Sequence, residues 1–106
     1  MEDCIFCKII KGEVPEEIEK ETERVVVFKD TRPSAPIDLL IVPKKHIRDI
    51  RDADSYIWDD IKGVAEEIAK EKKLSGFRLT TNAGDAAIIP HMHIHFLGGI
   101  SSDRAV

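Results

Sequence analysis

Residues 90 to 99 read Pro-His-Met-His-Ile-His-Phe-Leu-Gly-Gly, which places three of the chain's four histidines at every second position. In a β-strand that alternation sends His91, His93 and His95 to one face and Met92, Ile94 and Phe96 to the other. Three imidazoles spaced by about 6 to 7 Å form a reactive stripe, because histidine alone titrates near neutral pH without help. A central imidazole so placed is deprotonated enough to attack an electrophile, and its neighbours can orient it or supply a proton. A catalytic metal gripped by all three is the weaker alternative, since collinear residues on a flat strand converge poorly on one ion.

The chain that must position this stripe has 106 residues, which implies one domain with one core. Its net charge of −4 comes from interleaved acids and bases, with no basic tract, so a nucleic-acid polymer is a poor partner. No run approaches the roughly 18 to 20 apolar residues that cross a bilayer, so no membrane partner is expected. The Met1-Glu2-Asp3 start lacks the positive region of a signal peptide, and a cytoplasmic protein is expected. In a reduced compartment the Cys4-x-x-Cys7 pair points to metal or redox chemistry more than to a structural disulfide.

Cys4 to Lys11 carries Ile5, Phe6, Ile9 and Ile10 in a helical rhythm that Gly12 and Pro15 stop. Strands are expected at Glu17 to Lys20, Arg24 to Lys29, Ile37 to Val42 and Phe77 to Asn82, with the histidine segment as the fifth. Asp30 to Pro36 reads as a turn or loop. One long helix, capped by Asp54 or Ser55, should run to about Lys73 and end at Ser75-Gly76. Its apolar positions Ile57, Ile61, Val64, Ala65, Ile68 and Ala69 make one stripe, and the charges between them a solvated face. The fold expected is α+β: a five-stranded antiparallel sheet, the long helix on one face, and the histidines and the short N-terminal helix on the other around a cleft. Ile100 to Val106 reads as a frayed tail.

The chain resembles the histidine-triad (HIT) family, in its Hint-like (protein kinase C inhibitor-like) branch. The likeness rests on His91 to Gly99, on Cys4-Ile5-Phe6-Cys7-Lys8-Ile9-Ile10, on Phe28-Lys29-Asp30, on Ser34-Ala35-Pro36 and on Leu40-Ile41-Val42-Pro43-Lys44-Lys45-His46. These blocks stand in the family's order and span nearly the whole chain. The resemblance implies a homodimer that binds purine nucleotides and hydrolyses nucleoside phosphoramidates or related nucleotidyl compounds. By the same resemblance His93 is the nucleophile that forms a nucleotidyl-imidazole intermediate, His95 contacts the phosphate and leaving group, and the main-chain carbonyl of His91 holds the His93 ring. The nucleotide pocket it implies comprises Ile5, Phe6, Ile9, Phe28, Asp30, Leu40 and Asn82, with Asp30 accepting from ribose hydroxyls and the apolar residues sandwiching the base. For Phe6, Phe28 and Leu40, ordinary core packing explains the residue type equally well.

The sequence departs from the family pattern at two places. Where the family has an upstream histidine after Ala-Pro, this chain has Asp38, whose carboxylate favours a charged imidazole beside it and repels a phosphate. Before the triad, the family's polar phosphate-binding turn is replaced by Asp85-Ala86-Ala87-Ile88-Ile89-Pro90, and losing one oxyanion donor costs about a hundredfold to a thousandfold in turnover. Both departures motivate an alternative function: a non-catalytic nucleotide-binding or interaction module with impaired chemistry. Cys4, Cys7, His46 and His91 form a Cys₂His₂ set of the kind tetrahedral zinc prefers, and some bacterial HIT proteins resemble this chain in binding structural zinc through such residues. Reduced free cysteines and a thioredoxin-like redox pair are the alternatives. Tyr56 and Trp58 are expected at a dimer interface or a core edge.

Overall fold

In the computed structural model, which describes residues 3–105, helix α1 (Ile5–Ile10) starts at Cys4, whose sulfur accepts the Cys7 amide. Gly12, at φ +79, ends it, and the amides of Gly12 and Glu13 fold back onto the carbonyls of Ile9 and Lys8. Strands β1 (Ile18–Glu21), β2 (Val25–Lys29) and β3 (Ile37–Pro43) follow. Helix α2 (Ser55–Glu71), strand β4 (Phe77–Thr81) and strand β5 (Ile94–Gly98) complete the element order. The sheet is antiparallel throughout, in the order β1-β2-β3-β5-β4.

Asp54 caps α2 by accepting the Ile57 amide at 2.9 Å. The helix ends earlier than its charge pattern suggests, and Ser75-Gly76 is not what stops it. Lys73 takes the left-handed conformation (φ 56), and the Lys73 and Leu74 amides return to Lys70 and Ala69. Leu74 packs against the core, the hydrophobic contact that accompanies this helix ending. The expected stripe on α2 is buried against Val25, Val27, Leu39, Ile41, Ile94 and Phe96 of the chain's own sheet. Tyr56 is exposed beneath the Arg24 guanidinium and Trp58 is half-exposed, so neither is a core residue.

On the opposite face Phe6 and Ile9 of α1 pack on Val26, Phe28, Leu40 and Val42, so the single core expected from the chain's length is two, divided by the sheet. The histidine segment is only partly a strand. The sheet ladder begins at Ile94, and residues 90–93 form an irregular approach in which the Met92 amide donates to Ile47 and the Thr81 hydroxyl to the His93 carbonyl. Among the described residues no helix is long and apolar enough to cross a membrane.

Candidate functional site

The three imidazoles leave the sheet on the α1 side but do not form an even row. His95, in β5 opposite Leu40, is half-buried; His93 is 9% exposed and His91 fully buried. The rings of His93 and His95 lie 5.3 Å apart, edge to face, and the edge-to-face contact of Phe6 with His93 at 5.1 Å fixes the ring from the other side. The His93 Nδ1–H donates to the His91 carbonyl at 2.8 Å. A carbonyl can only accept, so this bond assigns the proton to Nδ1 and leaves the lone pair on Nε2. Burial holds the His93 ring below the ordinary imidazole value, His95 adds to the effect, and the His91 carbonyl and Asp30 oppose it. The ring is therefore a neutral base at neutral pH.

Beside it lies a cleft of about 480 Å³, lined by Phe6, Asp30, Leu40, Asn82, His93 and His95 and closed by Thr31, Arg32, Ala86, Ile88 and Ile89. Of the expected pocket residues, Phe6, Asp30, Leu40 and Asn82 reach it. Ile9 and Phe28 do not; they are buried behind Phe6, whose ring meets Phe28 edge-on at 5.7 Å, and so support the wall without forming it. Ile5 is half-exposed and lines a neighbouring groove with His46 and Pro90. Arg32, which sequence reasoning missed, brings a cation to the rim. Its position was foreshadowed by the turn-forming Asp30, whose Oδ1 accepts the Arg32 amide at 3.0 Å.

Asp38 lies against His95, its Oδ1 3.7 Å from Nδ1, and Asp30 Oδ2 approaches the same nitrogen at 3.4 Å. The pre-triad segment folds as a 3₁₀ turn, Gly84–Ala86, in which the amides of Ala86 and Ala87 are taken by Ala83 and Gly84 carbonyls. The Gly84 amide donates to Asp49, a buried carboxylate that Arg51 grips through two nitrogens and holds well below the usual carboxylate range. Of the main-chain amides after Gly84, those of Ala86 and Ala87 are thus occupied within the turn. Asp49 and Gly84 are far apart in sequence, so no local pattern announces this clamp.

The second cluster joins α1 to the approach of β5. Cys4 Sγ and Cys7 Sγ stand 3.3 and 3.5 Å from His91 Nδ1; Cys7 Sγ is 3.2 Å from His46 Nδ1, and the two Nδ1 atoms are 3.1 Å apart. Ligands of a tetrahedral zinc stand about 3.3 to 3.8 Å from one another, given its bond lengths of about 2.0 to 2.3 Å, so the four need only a slight expansion to hold that ion. The Nε2–H of His91 donates to the Pro43 carbonyl at 2.8 Å, which leaves its Nδ1 unprotonated toward the cluster, as a metal-ligating histidine requires. Both cysteines are free, and burial pushes the Cys7 thiol up, so a thiolate there needs a cation beside it.

A family model described as "Scavenger mRNA decapping enzyme C-term binding" matches residues 3–104. A HIT-like protein of Methanocaldococcus jannaschii is 36% identical over 108 residues, covering 97% of this chain and 84% of the relative. The protein HitA of Neisseria gonorrhoeae is also 36% identical, covering 92% of this chain and 97% of its own. Among solved structures, a HIT family hydrolase from Clostridium thermocellum superposes with a TM-score of 0.91 at 39% identity, over 100% of this chain and 98% of that one. A HIT family hydrolase from Legionella pneumophila gives 0.87 at 39% identity, over 93% and 95%.

Proposed function

The chain belongs to the histidine-triad family, and on that premise we propose that it hydrolyses nucleoside phosphoramidates or related nucleotidyl compounds, in the manner of the Hint-like branch. The observation that carries this reading is the tautomer of His93, a neutral ring with the Nε2 lone pair free, lining a cleft whose volume suits a mononucleotide. The names of the two solved hydrolases support the reaction class.

In this mechanism Nε2 attacks the α-phosphorus and the P–N bond to the leaving amine breaks. The bonding pair leaves with the amine nitrogen, which takes a proton from His95. The charge that His93 gains is stabilised by the His91 carbonyl through Nδ1–H. Water then cleaves the phosphorus–Nε2 bond: its oxygen joins phosphorus, its proton returns to His95, and the bonding pair goes back to Nε2, giving the nucleotide and restoring both histidines. Asp30 receives the ribose hydroxyls, Phe6 and Leu40 face the base, and Asn82 stands at the mouth. Cys4, Cys7, His46 and His91 would hold a structural zinc that fastens α1, and with it Phe6, to the sheet.

Steady-state hydrolysis of a nucleoside 5′-phosphoramidate tests the reading. Wild-type protein should turn over and His93→Ala should lose at least about a thousandfold in kcat/KM. Equal rates in the two would sink it. Tight nucleotide binding without turnover in the wild type would instead favour the non-catalytic module, which the occupied amides of the pre-triad turn motivate.

A further inference from the structure

Asp38 Oδ1 is the one buried side-chain polar atom without a hydrogen-bond partner among the described residues. The Asp38 side chain is wholly inaccessible, and an unpaired carboxylate oxygen in such a place is costly unless a positive charge faces it. What faces it is His95 Nδ1 at 3.7 Å, with Asp30 Oδ2 3.4 Å from the same nitrogen. Both separations are longer than a good N–H···O bond. They suit ligands arranged around a shared divalent ion instead: at bond lengths of about 2.1 Å neighbouring ligands stand about 3.0 Å apart in an octahedron and about 3.4 Å in a tetrahedron, so a small inward shift of the two carboxylates closes the site.

The outer contacts are arranged to the same end. Asp38 Oδ2 accepts the Ser34 amide at 2.8 Å and the Ser34 hydroxyl at 3.1 Å, and Asp30 Oδ1 accepts the Arg32 amide. Each carboxylate therefore has one oxygen tied to the Asp30–Ser34 loop and the other left toward His95, the pattern of ligands oriented by a supporting shell. We propose that Asp30, Asp38 and His95 form a divalent-cation site, separate from the Cys₂His₂ cluster, for an ion of the Mn²⁺ type that accepts two hard oxygens and one imidazole. Asp38 closes the site from behind, and Asp30 and His95 line the cleft, so the open coordination positions face the nucleotide space. A vicinal diol or a phosphate oxygen is the ligand chemistry those positions would take. Ligation through Nδ1 leaves the His95 Nε2–H free to serve the leaving group.

The test uses zinc-loaded protein without nucleotide, so its outcome is independent of whether the chain hydrolyses anything. Mn²⁺ is titrated in and the free aquo-ion is followed by electron paramagnetic resonance. Wild type should bind about one equivalent, and Asp38→Asn should weaken binding by about a hundredfold. Asp30→Asn, at a less buried position that better tolerates change, should do the same. No bound Mn²⁺ in the wild type, or wild-type binding retained in both variants, would overturn the proposal.

Discussion

At the scale of single residues, His93 is a base positioned by two neighbours: the His91 carbonyl that accepts its Nδ1–H and the Phe6 ring packed edge-on against it. Spacing alone singles out this histidine as the central one, but the depression of its pKa comes from burial, which only the packed structure displays. The sign of the pH dependence follows. Attack needs the neutral ring, and the folded-state value lies below the ordinary imidazole value of about 6.5. The acid limb of kcat/KM should therefore have its midpoint below that value. A limb midpoint at or above the ordinary value would contradict the burial argument. Asp38 was legible as an anomaly of the sequence, but not its target: it addresses His95, because β3 and β5 bring Leu40 opposite His95 and place residue 38 further along the same strand.

At the scale of elements, the helices and strands follow from apolar periodicity, and the departures arise where backbone geometry overrides it. Lys73 ends α2 without a glycine, since the core contact of Leu74 offsets its left-handed conformation. The histidine segment joins the sheet only at Ile94, because Met92 bonds Ile47 ahead of it. Helix α1 is too short to hold itself in place and rests on its apolar contacts and the Cys₂His₂ cluster. Metal analysis of protein purified without chelators should give about one zinc per chain, and stripping it or substituting Cys7→Ser should lower Tm and loosen the Phe6 wall of the cleft. Less than about a tenth of an equivalent would contradict the metal assignment.

At the scale of the whole molecule, one sheet divides the labour: its α2 face carries the larger core, and its α1 face carries both the histidines and the Cys₂His₂ cluster. This division was readable from the alternation of His91 to Phe96, whereas the loop clamp through Asp49 and the rim cation Arg32 were not, because they depend on tertiary placement. The edge strand β4 presents half-exposed Phe77 and Leu79, and half-exposed Trp58 lies at the start of α2. If the homodimer that the family resemblance implies uses this edge, light scattering should return twice the chain mass and Phe77→Glu should shift it toward the monomer; a wild-type monomer at all concentrations would oppose it. The central claim, that His93 carries the nucleotidyl group, is met most directly by acid-free quenching of a reaction with a nucleoside 5′-phosphoramidate followed by intact-mass spectrometry. A covalent nucleotidyl adduct on His93, absent in His93→Ala, is expected. Turnover with no adduct at His93, undiminished in that variant, would contradict it.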